Sequence, residues 1–124
     1  MKKKEEYQIS TSVNEEILEI ILTGELTSDS FKIIRNELLA IEKLMNMKNE
    51  IIDFRALKGQ RSAYIEAYID SRNIPPDRPR INTALVDIAE NAELGYFFEI
   101  NALKTGLSFK WVTDIDAARA WLRS

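Results

Sequence analysis

The sequence predicts an α/β domain with a five-stranded, mostly parallel sheet in the order β-β-α-β-α-β-α-β-α. Stretches in which every second residue is apolar alternate along the chain with stretches in which apolar residues recur every three to four positions, which are the strand and helix periods. Strands separated by helices pair in parallel through right-handed crossovers. The 124 residues suffice for one core, so we expect a single domain over 1–124, with 1–6 as a disordered tail.

The first half of the chain predicts a hairpin, a helix and a third strand. Alternation over 7–13 and an apolar run over 17–23 indicate two strands joined by a short turn at 14–15. Thr27 or Ser28 can cap the following helix. A third strand is expected over 50–55, followed by a loop over 56–60. The helix between them has one apolar stripe at Phe31, Ile34, Leu38, Ile41 and Met45.

The second half of the chain continues the alternation. A helix is expected over about 61–73, because prolines at 75, 76 and 79 stop it. A strand over 81–87 and a helix over 91–105 follow, and then a strand over 107–112 and a last helix capped by Thr113 or Asp114. The strands have one strongly apolar side, which indicates one well-covered and one partly open sheet face. In the helix over 91–105, the apolar residues in register are Ala92, Tyr96, Ile100 and Leu103.

The composition restricts the chemistry. The chain has no histidine and no cysteine, which removes the commonest general base, the commonest transition-metal ligand and any thiolate nucleophile. Glycine-rich phosphate loops and nucleophile elbows are also missing from the sequence. We therefore expect a protein that is not an enzyme and that uses no metal or cofactor.

The charge balance excludes further classes. With 17 basic and 20 acidic residues, the net charge of −3 argues against a nucleic-acid binder, which would carry a basic excess. The most apolar stretch, 17–22, is too short to span a bilayer. We expect a cytoplasmic protein without stable membrane insertion.

Several stretches, in this order and spacing, resemble the SpoIIAA-like, or STAS-like, proteins, and among them a poorly characterised bacterial branch called STAS/SEC14-like. The resemblance covers nearly the whole chain. It implies a β-α superhelix with successive strands adjacent and helices mainly on one face. The better-known relatives are partner-binding switches or lipid-binding domains. The matching stretches are 22–27, 51–55, 83–86, Gly95 and 114–122.

The sequence departs from this group at two positions. Anti-sigma-factor antagonists carry an Asp-Ser pair, whose serine is phosphorylated, where the loop after the third strand enters the next helix. Here Gln60 and Arg61 stand roughly in that place, and Ser62 lies one position further on. The STAS/SEC14-like branch often has an arginine shortly after the helix glycine, whereas Gly95 is followed by Tyr96-Phe97-Phe98.

Two polar candidate sites lie where predicted parallel strands end. Arg55, Lys58 and Arg61, with Ser62, could bind an anion where a strand end meets a helix N-terminus; the alternative is a solvated loop with Ser62 as a helix cap. Asp53 and Asp87 could divide acid and base roles. Their alternative is structural, with Asp53 paired to Arg55 and Asp87 capping a turn.

A third candidate site is aromatic. Tyr96, Phe97 and Phe98 are consecutive in a predicted helix, so they cannot all face one side, and at least one must point away from the core. This favours a contact with a protein partner or with a second copy in a homodimer. The alternatives are core packing or a lipid pocket. The wider aromatic group comprises Tyr64, Tyr68, Tyr96, Phe97, Phe98, Phe109 and Trp111.

The sequence therefore predicts a non-enzymatic STAS-like interaction or regulatory module. Binding of a small lipid or anion is the alternative.

Overall fold

The computed structural model describes residues 7–59 and 80–124. Within these residues, five strands form one sheet and three helices flank it. A single 3₁₀ turn, Ala89–Asn91, leads into the second of these helices. The elements are β1 (Tyr7–Asn14), β2 (Ile17–Leu26), α1 (Ser28–Met45), β3 (Asn49–Gly59), β4 (Asn82–Val86), α2 (Ala92–Lys104), β5 (Ser108–Val112) and α3 (Ile115–Arg123).

The strands lie in the sheet in the order β1-β2-β3-β4-β5. The sheet is mixed, and not mostly parallel as expected, because β1 is antiparallel to β2 while the other three pairs are parallel. The two-residue turn at Glu15 and Glu16 forces the antiparallel pair, since parallel neighbours need a long crossover. The described element order is β-β-α-β-β-α-β-α, because the helix expected over 61–73 lies outside the described residues.

Strand β3 is longer than predicted. Residues 56–59, expected to form a loop, continue the strand to Gly59. The register between β2 and β3 shifts between Ile21 and Thr23, after which pairing resumes with Thr23 opposite Ala56. Such a bulge lets two strands stay paired while one bends. The extension places Lys58 opposite Glu25 on paired backbone.

Two helices begin at side-chain caps that the sequence indicated. The side chain of Thr27 accepts a hydrogen bond from the backbone N–H of Ser30. The side chain of Ser30 in turn accepts one from the backbone N–H of Thr27, which completes a capping box. Asp114 accepts a hydrogen bond from the N–H of Asp116 at the start of α3. Helix α1 ends at Asn46, which adopts the left-handed conformation common at helix ends.

The sheet is packed on both faces. The larger core joins the apolar side of the sheet to α1 and α2; it includes Leu18, Ile20, Ile34, Phe109 and Trp111. A smaller core lies on the other face, where Ala118 and Leu122 of α3 cover the second side of the sheet. Two of the three described helices therefore share one face, and α3 occupies the face that the sequence indicated to be more open.

Two ion pairs formed by arginines of α3 hold this helix over the second face of the sheet. Arg119 binds Glu19 of β2 with an N–O distance of 2.7 Å, and both side chains are largely buried. Arg123, one helical turn further on, pairs with Glu15 of the β1–β2 turn. The last helix is thus tied to the first hairpin across 100 residues of sequence.

Candidate functional site

Helix α2 presents an apolar surface to solvent. Its members are between 47% and 55% exposed, and we call them the α2 surface: Tyr96, Phe97, Ile100 and Leu103. In a helix, residues three, four and seven positions apart share a side, so Tyr96, Ile100 and Leu103 form one stripe with Phe97 beside it. Large apolar residues in this arrangement are typical of a contact surface.

The buried side of α2 explains why its large residues point outward. The residues of α2 that are fully buried are the small Gly95 and Ala102. The indole ring of Trp111, on β5, lies against Gly95 so closely that a Cβ atom there would overlap it. Small residues on the sheet side bring the helix backbone close to the sheet. The four large residues of the α2 surface are consequently left on the side that faces away, whereas Phe98 packs against the larger core.

The three consecutive aromatic residues have different environments. Phe98 belongs to the larger core, and its ring centroid lies 5.4 Å from that of Phe109. Tyr96 contacts Trp111 edge to face, with ring centroids 5.1 Å apart, and its remaining surface is exposed. Phe97 is exposed on the neighbouring side. Of these three interface candidates, Phe98 is therefore the one that packs against the core.

Two residues of the α2 surface were not among the sequence-predicted site residues. Ile100 and Leu103 were recognised only as part of a row at helical spacing, and the structure shows that this row faces outward. The signal that could have identified its direction was the pair of small residues Gly95 and Ala102, seven positions apart on the other side.

The carboxylate of Asp53 is held by Arg55. The guanidinium donates from Nε to Oδ1 at 3.0 Å and from Nη2 to Oδ2 at 2.8 Å, and the backbone N–H of Arg55 adds a third hydrogen bond of 3.0 Å. Burial opposes ionisation of Asp53, but the hydrogen bonds and charge of Arg55 outweigh it and hold the pKa of Asp53 below its usual value. The hydrogen bond to Asp53 raises the pKa of Arg55, and the negative charges of Asp53 and Asp114 raise it further.

Among the described residues, the remaining polar candidates have surroundings of their own. Asp87 is buried and accepts hydrogen bonds from the backbone N–H of Ile88 at 2.8 Å and from the side chain of Asn91 at 3.1 Å. Lys58 is exposed on β3. Arg61 and Ser62, like Tyr64 and Tyr68 of the aromatic group, lie outside the described residues. Asp53 and Asp87 therefore have separate partners.

The described residues offer no group of three or more acidic side chains placed to hold a metal ion. Over residues 7–59 and 80–124, no helix is both long and apolar enough to cross a membrane.

Comparisons with known proteins identify the fold. The sequence matches no protein-family model, and no curated protein is significantly similar to it. Among solved structures, the chain is similar to an anti-sigma factor antagonist from Mycobacterium paratuberculosis, with a TM-score of 0.62 and 9% identity over 95% of both chains. It is also similar to an uncharacterised protein of the DUF3478 family, with a SpoIIAA-like fold, from Shewanella loihica PV-4. Here the TM-score is 0.60 and the identity 16%, over 98% of both chains.

These likenesses show a SpoIIAA-like fold. They confirm, at the level of the fold, the resemblance to SpoIIAA-like and STAS-like proteins that the sequence stretches indicated.

Proposed function

We propose that this chain is a non-enzymatic, STAS-like regulatory module that binds a protein partner through the α2 surface. The observation that carries the proposal is that α2 buries the small residues Gly95 and Ala102 while the four large apolar residues of the α2 surface are exposed. The name of one structural neighbour, an anti-sigma factor antagonist, describes a protein that acts on another protein. A cytoplasmic location, expected from the sequence, is part of the proposal.

The energetics suit the centre of an interface. Burying a large apolar side chain fully contributes about 1.5–3 kcal/mol, so completing the burial of four half-exposed residues supplies roughly 3–6 kcal/mol. Association costs about 4–15 kcal/mol in lost freedom. The α2 surface can therefore act as a group of anchoring residues, with a surrounding polar rim providing the rest of the contact area.

The second candidate, binding of a small lipid or anion, is favoured by no specific observation among the described residues. Phe98, Phe109 and Trp111, which were candidates to line a lipid pocket, pack together in the larger core. The guanidinium of Arg55 is bonded to Asp53, which competes with an incoming anion. Anion binding at Arg55 and Lys58 therefore stays a prediction, and the protein partner is preferred.

The experiment is quantitative affinity capture from a lysate of the source organism. Wild-type protein, the Phe97→Ser and Ile100→Ser variants, and an Ala40→Ser control are used as baits. Ala40 is exposed on α1, a different helix from the one that carries the α2 surface. The proposal predicts that at least one protein captured by the wild type and the control is lost, by roughly tenfold or more, from both α2 variants.

The purified partner is then titrated against the same four proteins. The titrations must reproduce both the binding by the wild type and the control and the loss of binding by the two α2 variants. Partners retained equally by all baits would contradict the α2 surface as the binding site. Circular dichroism and thermal unfolding of each bait confirm that the lost binding is not caused by lost folding.

A further inference from the structure

The two edges of the sheet are treated differently. At the β5 edge, the backbone N–H of Trp111 donates to Oε1 of Glu99 at 2.6 Å. The carbonyl of the adjacent residue, Val112, accepts a hydrogen bond from the backbone N–H of Asp87 and therefore faces the β4 side. Because the backbone groups of consecutive strand residues point to opposite sides, the N–H of Trp111 faces away from β4. The carboxylate of Glu99 thus accepts the hydrogen bond that this edge N–H would otherwise donate to an added strand. This protects the β5 edge against strand addition.

At the other edge, the turn determines which backbone groups of β1 point outward. Glu15 and Glu16 both have positive φ, of 52° and 66°, as in a two-residue type I′ hairpin. Asn14 and Ile17 flank this turn and form a hydrogen-bonded pair. By alternation, Ser12, Ser10 and Gln8 also bond to β2. The residues with outward-facing N–H and C=O groups are therefore Tyr7, Ile9, Thr11 and Val13.

Strand β1 lacks the usual protection of an edge. Over Tyr7–Asn14 it has no charged residue and no proline, and its register with β2 is unbroken. Edge strands are normally blocked by lysine, proline or a bulge. With eight residues, β1 also offers a longer edge than the five of β5. Among the described residues, no strand pairs with the outward edge of β1 over 9–13.

We propose that β1 pairs with β1 of a second copy of this chain, antiparallel across a two-fold axis near Ser10. The edge is self-complementary, because a two-fold axis places the outward groups of Ile9 against those of the partner's Thr11, and those of Thr11 against the partner's Ile9. Two five-stranded sheets become one continuous sheet.

The uncharged edge favours pairing of β1 with itself. Because 30% of the residues of the chain are charged, most other surface segments would set like charges opposite one another if they paired with a second copy of themselves. The uncharged β1 strand sets no like charges opposite one another when it pairs with itself. The proposal does not depend on the α2 surface, which lies on a different element.

Sedimentation velocity over a concentration series tests the proposal, with wild type, Thr11→Lys, Thr11→Pro and an Ala40→Lys control. Thr11 is exposed, and its N–H points away from β2, so both substitutions leave the hairpin ladder intact. The lysines of two copies would be diagonal neighbours across the axis, and proline removes one bonding N–H. Wild type and control are expected to dimerise, and both Thr11 variants to dissociate at least roughly tenfold more readily.

Amide hydrogen exchange followed by NMR identifies the edge directly. In the monomer, amides of Gln8, Ser10 and Ser12 are protected by β2, whereas those of Ile9 and Thr11 are not. The proposal predicts that protection of Ile9 and Thr11 appears as the concentration rises through the dimerisation range.

Four results overturn the proposal. One is a wild type that stays monomeric at every concentration, and another is a dimer in which Ile9 and Thr11 exchange freely. The third is a dimer that Phe97→Ser dissociates but Thr11→Lys does not, which would assign self-association to α2. Protection of these amides by a peptide of another protein, without dimerisation, would also refute it.

Discussion

Gly95 of α2 lies against the indole ring of Trp111 on β5, so closely that no side chain fits at position 95. A Cβ atom at position 95 would overlap Cε2, Nε1 and Cδ2 of that ring. This contact determines how near α2 comes to the sheet, and therefore which residues of the helix remain outside. A residue with no side chain thus decides the composition of the α2 surface.

Gly95→Ala should destabilise the protein, although alanine favours helices over glycine by about 1 kcal/mol. Overpacking against a rigid aromatic ring costs about 1–3 kcal/mol, and we expect a net loss of that order in the free energy of unfolding. Urea denaturation measures it. In a Trp111→Leu background the overlap is relieved, so the cost of Gly95→Ala should largely disappear. Equal costs in both backgrounds would show that the contact with Trp111 is not responsible.

Phe97 and Phe98 are adjacent in sequence but should respond differently to substitution. Phe98→Ala removes a ring that packs on Phe109, and we expect a loss of about 2–4 kcal/mol in the free energy of unfolding. Phe97→Ala changes an exposed residue and should alter it by less than about 0.5 kcal/mol. Thermal or urea unfolding of the two variants side by side makes the comparison. A large loss for Phe97→Ala would mean that this ring supports the fold.

The β1–β2 turn holds two glutamates in the left-handed conformation, which costs about 1–2 kcal/mol per non-glycine residue. Glu16→Gly relieves this cost and keeps the pair between Glu15 and Arg123. We expect a gain of about 0.5–1 kcal/mol in the free energy of unfolding, measured in urea. The matched control is Ser12→Gly on β1, where φ is not positive and glycine should destabilise by about 0.5–1 kcal/mol. A Glu16→Gly variant that is no more stable than the wild type would contradict the expected strain.

The pair of Asp53 and Arg55 should make stability depend on pH in the acid range. The folded-state pKa of Asp53 is lowered, so its contribution is complete above the unfolded-state pKa of about 3.9 and is lost as the pH falls through the folded-state pKa. Asp53→Asn should therefore weaken the acid-side fall of the unfolding free energy, measured between about pH 2.5 and 6. Glu93→Gln, at an exposed position of helix α2, is the control. If the unfolding free energies of the wild type and Asp53→Asn fell identically with decreasing pH, the lowered pKa of Asp53 would be contradicted.

Much of the local structure could be predicted because it depends on neighbouring residues. The hairpin follows from alternation over 7–13 and an apolar run over 17–23. The caps at Thr27 and Asp114 depend on side chains within three positions of the helix start. The extent of β3 could not be predicted in this way. Residues 56–59 are strand because β2 provides partners for them beyond a bulge, and a distant partner leaves little local signal.

The candidate site was predictable only in part. That three consecutive aromatic residues cannot share one side of a helix is a property of helix geometry. Which of them enters the core depends on contacts with β5: Phe98 meets Phe109, and Gly95 meets Trp111. The pairing of Arg55 with Asp53 was foreseen only as one of two alternatives, because two residues on one strand can bind each other or something else.

The sequence by itself determined the class of fold, the alternation of strands and helices, and the lack of histidine and cysteine chemistry. It could do so because periodicity and composition are properties of the chain alone. Only the tertiary structure decided which large residues of α2 face outward and that α3 is held over the second sheet face by ion pairs. It also decided that Glu99 accepts a hydrogen bond from an edge N–H of β5, while no described strand pairs with the outer edge of β1. These features depend on which residues far apart in sequence meet, and packing of a whole core selects those contacts.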